Sequence, residues 1–116
     1  MFVKILKSKL HRARVTGTKL HYPGSIAIDS ELMEAAGILP NESVLIADLN
    51  NGNRLETYAV PAQAGCRQIE VLGAAALLIK PTDIIIIFGF GFLTPEEAKE
   101  FKPKIVVLNE NNNITN

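Results

Sequence analysis

The chain is poor in the residues from which most small sites are built. It has one cysteine, two histidines and no tryptophan in 116 residues. A single cysteine, Cys66, closes no internal disulfide, and no Cys/His cluster has metal-ligand spacing. A disulfide scaffold and a bound metal are therefore not expected, and the cytoplasm is the expected compartment. No apolar run approaches the roughly 20 residues of a membrane helix, so no membrane association is expected. The first residues, Met1 to Lys7, lack the long apolar stretch of a secretory signal. Gly89-Phe90-Gly91 lacks the third glycine and the following helix of a dinucleotide fingerprint. No acid flanks either histidine in sequence, which leaves a Ser-His-Asp triad unsupported.

Acid is also missing from one end. Residues 1–24 carry Lys4, Lys7, Lys9, Arg12, Arg14 and Lys19 with no Asp or Glu, a charge of +6. The remainder has six bases and twelve acids, a charge of −6. The sign changes at Gly24-Ser25. A basic strand facing acidic neighbours, a nucleic-acid arm, and an active-site strand that attracts an anion all fit this asymmetry.

With 47% hydrophobic and 21% charged residues, the sequence reads as globular, one domain over residues 1–116 with a modest core. Most of it is β. Strands are expected over 2–7, 9–16, 25–28, 43–48, 54–60, 67–72, 84–92 and 105–108. In the second of these, Lys9, His11, Ala13 and Val15 alternate with Leu10, Arg12 and Arg14. Asp29 or Ser30 caps a short helix through Ala36, and Gly37 stops it. Asn51-Gly52 is a hairpin turn. Thr94-Pro95-Glu96-Glu97 has the form of a capping box with proline at the first helical position. Residues 109–116 read as a disordered polar tail. Many short strands with little helix favour a closed barrel.

The informative pair is Gly24-Ser25, where a hydroxyl follows a carbonyl that no side chain shields. Around it lie Lys-Leu-His-Arg at 9–12, Leu-His-Tyr at 20–22, Ala-Ala-Gly-Ile-Leu at 35–39, Asn-Gly at 51–52, Thr-Tyr-Ala at 57–59 and Gly-Ala-Ala-Ala at 73–76. In this order and spacing the chain resembles the pyruvoyl-dependent aspartate 1-decarboxylases over nearly its whole length. The resemblance implies a double-ψ β-barrel and a homotetramer with sites between subunits. It implies that Ser25 attacks the Gly24 carbonyl to form an ester. Elimination and hydrolysis would then leave a β chain, 1–24, and an α chain, 25–116, blocked by a pyruvoyl group derived from Ser25. Thr57 would be the oxyanion donor of that cleavage. The pyruvoyl group would take L-aspartate as a Schiff base and yield β-alanine for pantothenate synthesis. Tyr58 would be the proton donor. Lys9, His11, Arg54, Thr57, Gly73, Ala74 and Ala75 would bind substrate, and an accessory maturation factor is compatible with the family.

Three features sit uneasily. Plain alternation puts Arg54 and Tyr58 on one face of their strand and Thr57 on the other. Leu72 stands where the family usually has Asn, and Leu cannot donate a hydrogen bond. Pro23 stands where relatives often carry an acid. Two alternatives remain open at this point: a DNA-binding barrel of the swapped-hairpin type, and an uncut relative without the reaction.

Overall fold

A computed structural model describes all 116 residues. The strands are β1 (Val3–Arg14), β2 (Gly17–Lys19), β3 (Ser25–Asp29), β4 (Ser43–Asp48), β5 (Arg54–Ala62), β6 (Ile69–Leu72), β7 (Ile84–Leu93) and β8 (Lys104–Val107). The helices are α1 (Ser30–Ala36) and α2 (Pro95–Glu100), with a 3-10 helix over Gly73–Leu77. The strands join in one mixed sheet of order β2-β6-β3-β5-β4-β7-β1-β8. Such a sheet with two short helices has the architecture of a double-ψ β-barrel. Its core is one cluster centred on Leu10, Ile26, Ile28, Ile46, Ile69, Ile85 and Ile87, all fully buried. No helix is long and apolar enough to cross a membrane.

Local chemistry explains the element ends. The Asp29 carboxylate caps α1 by accepting from the Glu31 N–H at 2.9 Å. It also accepts from the Gly65 and Arg67 N–H groups and from the Arg67 guanidinium. Burial by itself would raise the Asp29 pKa, but these donors outweigh it and hold the carboxyl below its usual range. Gly37 ends α1 at φ 73°, a conformation that favours glycine. The β4–β5 hairpin turns at Gly52, φ 79°. Thr94 and Glu97 close the expected capping box on α2.

The structure corrects four expectations. Residues 2–7 and 9–16 are not two strands but one, β1, with irregular registers between Leu6 and Ser8 and between Leu10 and Ala13. At the second irregularity Arg12 takes φ 65°. The bulge turns Ala13 and Val15 to the buried side with Leu10, so they leave the face expected from strict alternation. Strand β5 runs on through Pro61 to Ala62, while β6 begins only at Ile69. The 109–116 segment is not a free tail. Asn112 is buried, accepts from the Arg14 N–H at 2.8 Å and donates to the Arg14 and Arg67 carbonyls. Its amide satisfies backbone groups at the end of β1 and at Arg67, which composition alone does not reveal.

One polar pair makes the fold sensitive to pH. Asp48, at the end of β4, and Asp83, before β7, are both buried. Asp48 Oδ1 accepts from the Asn50 N–H and Asp83 Oδ2 from the Lys80 N–H. Asp48 Oδ2 has no donor, and the Asp83 carboxyl lies within hydrogen-bonding reach of Asp48. Burial, then Asp83, pushes the Asp48 pKa from 3.8 up to about 6. The folded state therefore holds this proton more tightly than the unfolded chain does. That stabilisation is complete below about 3.8 and is lost as pH rises through about 6. In Asp48→Asn an amide donates to Asp83 at every pH. The variant is expected to be more stable than the parent near neutral pH, by on the order of 2 kcal/mol, and about equal to it in acid below the unfolded pKa. Urea unfolding in the two pH ranges checks this, and equal stabilities near neutrality would refute the shared proton.

Candidate active site

The scissile candidate sits where three strands meet. Ser25 opens β3 and is 4% exposed, while Gly24 before it is exposed. Ser25 pairs antiparallel with Leu72 of β6. On its other side β3 runs parallel to β5, with Ile26 opposite Ala59. Carried two residues back, that register sets Gly24 alongside Thr57. Both line a cavity of about 320 Å3, together with Leu72, Ala74 and Ala75.

Gly73 fixes the turn from behind. It has φ +83°, and a Cβ there would fall 2.7 Å from Gly24 Cα and 3.0 Å from both Gly24 N and Tyr22 O. Only glycine permits this approach of two backbones. The 3-10 helix that follows Gly73 begins at the cavity wall, so Ala74 and Ala75 present backbone and methyl groups and no bulk. The small-residue run is thus explained by two contacts, the turn on one side and the cavity on the other.

Leu72 is 6% exposed and lines the same cavity beside Gly24. It brings an apolar wall to the cavity next to the Gly24-Ser25 bond.

The basic candidates gather elsewhere. Strand β5 alternates over its first half, with Arg54, Glu56 and Tyr58 exposed and Leu55 and Thr57 half-buried. Arg54 and Tyr58 therefore share the outer face, and Thr57 points to the other. The guanidinium carbon of Arg54 lies 5.9 Å from the Phe88 ring centroid, and Lys9 Nζ lies 5.7 Å from the same centroid. Two cations thus converge on one aromatic ring. The chain's ion pairs use Lys7 and Arg67, not Lys9 or Arg54. An unpaired cation couple on an aromatic floor suits a carboxylate ligand.

His11 follows Lys9 on β1. Its Nδ1 is buried without a partner. Burial first, then the charges of Lys9 and Arg12, holds its pKa below the ordinary histidine value. It is therefore uncharged near neutral pH and adds no third cation.

Within one protomer the named residues other than His11 form two groups. Gly24, Ser25, Thr57, Gly73, Ala74 and Ala75 surround the turn, while Lys9, Arg54 and Tyr58 occupy the outer sheet face. Phe88 is a residue that sequence reasoning does not single out. Its signal is the alternation of Phe88, Phe90 and Phe92 with Gly89 and Gly91, which reads more readily as a bend.

Comparison with known proteins identifies the family. The family model described as aspartate decarboxylase matches residues 1–115. An aspartate 1-decarboxylase of Acetivibrio thermocellus is 52% identical over 116 residues, covering 100% of this chain and 92% of the relative. Those of Moorella thermoacetica and Salinibacter ruber are 54% and 49% identical, covering 96% and 99% of this chain and 87% and 79% of the relatives. The buried serine behind a glycine turn, the glycine that cradles it and a match spanning nearly every residue lead to one assignment: the chain belongs to the aspartate decarboxylase family.

Proposed function

We propose that this chain is an aspartate 1-decarboxylase that converts L-aspartate to β-alanine and carbon dioxide for pantothenate synthesis, after cutting itself between Gly24 and Ser25. The observation that carries the reading is the close approach of Gly73 to Gly24, which lines one cavity with Thr57 and precedes the buried Ser25. Family membership supports the reaction.

Processing asks three things of the chain. The Ser25 hydroxyl must be held against the Gly24 carbonyl, which its place at the first residue of β3 favours. The carbonyl must turn freely, which glycine allows. Negative charge on the attacked oxygen needs a donor, and Thr57 is the hydroxyl that shares the cavity with Gly24. Leu72 supplies no donor, so Thr57 carries this role without help from residue 72, and processing is expected to be slow for that reason. Ser25 and its cradle fit a pyruvoyl group, since residue 25 is enclosed while Gly24 opens toward the cavity. Such a group supplies an electrophilic carbonyl and an electron sink for loss of the α-carboxylate.

The remaining residues bind and protonate. Arg54 and Lys9 hold the substrate's side-chain carboxylate over Phe88. Ala74 and Ala75 leave room and backbone groups at the cavity wall. Tyr58 holds the proton that replaces the lost carboxylate. Because the cation pair and Tyr58 lie on the face of β5 opposite Thr57, a complete site requires a second protomer. The outer face carries Phe88, Phe90 and Phe92, and Phe92 is 68% exposed, which supports packing against another copy. We therefore take the active form to be a homotetramer with sites between subunits, working in the cytoplasm.

Turnover of L-aspartate to β-alanine by the purified protein tests the reaction. Tyr58→Phe is expected to be processed normally and to lose about 100-fold in kcat, since it keeps the ring and lacks the transferable proton. Near-normal kcat in that variant would remove Tyr58 as the donor.

A further inference from the structure

A second cleft, of about 300 Å3, opens between the end of β1 and the folded-back C-terminal segment. It shares no residue with the Gly24 cavity. Arg12 and Arg14 line one side, Asn109 and Glu110 the other. Neither arginine belongs to an ion pair. Arg14 Nε is buried without any acceptor. A buried guanidinium N–H left open costs about 1–3 kcal/mol, so this donor calls for an acceptor.

Arg12 adds an independent sign. Its φ of 65° lies in the left-handed region, uncommon for an arginine, at the point where the β1–β7 register slips. Strain of this kind persists where the surroundings hold it and marks functional positions. Arg12 and Arg14, two residues apart at this irregular stretch, both line the cleft. The depressed pKa of the adjacent His11, caused partly by Arg12, is consistent with positive potential along this stretch of β1.

We propose that this cleft binds the phosphate group of a small hydroxylated phosphomonoester, gripped by the guanidinium groups of Arg12 and Arg14. A carboxylate fills one guanidinium fork. A phosphate monoester offers three peripheral oxygens and up to two charges, enough for two forks. Glu110 is the one acid in the lining, and it disfavours a bare anion. It becomes favourable when the ligand brings a hydroxyl that donates to it. The cleft is also roomier than a free phosphate requires.

The arginine Nε–Hε resonance of Arg14 reads occupancy directly by NMR. Glycerol 3-phosphate is the probe, with inorganic phosphate and sodium chloride at matched ionic strength as comparisons. The expected result is a saturable shift with glycerol 3-phosphate, at least as tight as with inorganic phosphate and absent with chloride. Arg12→Gly removes the side chain with a residue that accepts positive φ, and Arg14→Lys keeps the charge but not the fork. Each is expected to weaken binding at least about tenfold, with an unchanged circular dichroism spectrum. Arg14→Lys is read by the shift of the Asn109 amide. No saturable shift, saturation by inorganic phosphate alone, or undiminished binding in both variants would overturn the assignment.

Discussion

Ser25→Ala is expected to leave one folded, uncut chain that makes no β-alanine. The substitution removes a single oxygen and retains Cβ at a position that is 4% exposed, so packing against β6 and β5 survives. A stability change within about 1 kcal/mol is expected from loss of one hydroxyl. In the proposed mechanism the functional loss is complete because one residue serves twice: its hydroxyl attacks the Gly24 carbonyl, and its Cα then becomes the electrophilic carbonyl carbon. No other hydroxyl can replace it, since Thr57 belongs to the neighbouring strand and follows no scissile bond. Thermal unfolding together with a β-alanine assay separates loss of chemistry from loss of fold. Any β-alanine produced by the uncut variant would sink the mechanism.

The second large effect belongs to Gly73→Ala. Two costs combine there. An alanine at φ +83° is strained by about 1–3 kcal/mol. Its Cβ also meets Gly24 Cα at 2.7 Å, and backbone cannot rotate aside as a side chain can. The Tyr22–Gly24 turn must move, which would displace the Gly24 carbonyl from the Ser25 hydroxyl that the proposed cleavage requires beside it. A fall in self-cleavage of at least about 100-fold is expected from an ångström-scale misplacement. Gly52→Ala is the matched control. Gly52 has φ +79°, but a Cβ added there would meet nothing within 4 Å, so it bears the strain without the collision. Cleavage time courses should show Gly73→Ala uncut and Gly52→Ala cut at the parent rate. Equal behaviour of the two variants would show that strain, not contact with the turn, is what matters at residue 73.

These two predictions rest on features of unequal legibility. The helix caps at Asp29 and Thr94, the Gly37 stop and the Asn51-Gly52 hairpin follow from side-chain chemistry within a few residues, and all are readable in sequence. Ser25, Thr57 and Gly73 are legible through the family resemblance. Their proximity depends on β3 pairing with both β5 and β6, which no local pattern specifies. The Arg12 bulge is invisible in sequence because a register slip in β1 is set by its partner strand, not by its own alternation. Asn112 is hidden because a polar residue in a polar segment gives no hint that it fills a gap beside Arg14 and Arg67. The alternation that separates Arg54 and Tyr58 from Thr57 holds in the fold. Over residues 54–58 the exposure alternates strictly, which places Arg54 and Tyr58 on one face and Thr57 on the other.

Leu72 creates the sharpest tension within this site. It lines the cavity beside Gly24 with an apolar side chain, so under the proposed self-cleavage the burden of stabilising the intermediate would fall on Thr57. The most direct test is the intact mass of the purified, full-length protein under denaturing conditions after prolonged incubation. Self-cleavage predicts two species, residues 1–24 and residues 25–116, the larger one lighter by the mass of ammonia than a fragment starting at an ordinary serine. A single mass for the uncut chain, with Gly24 and Ser25 still joined, would contradict it.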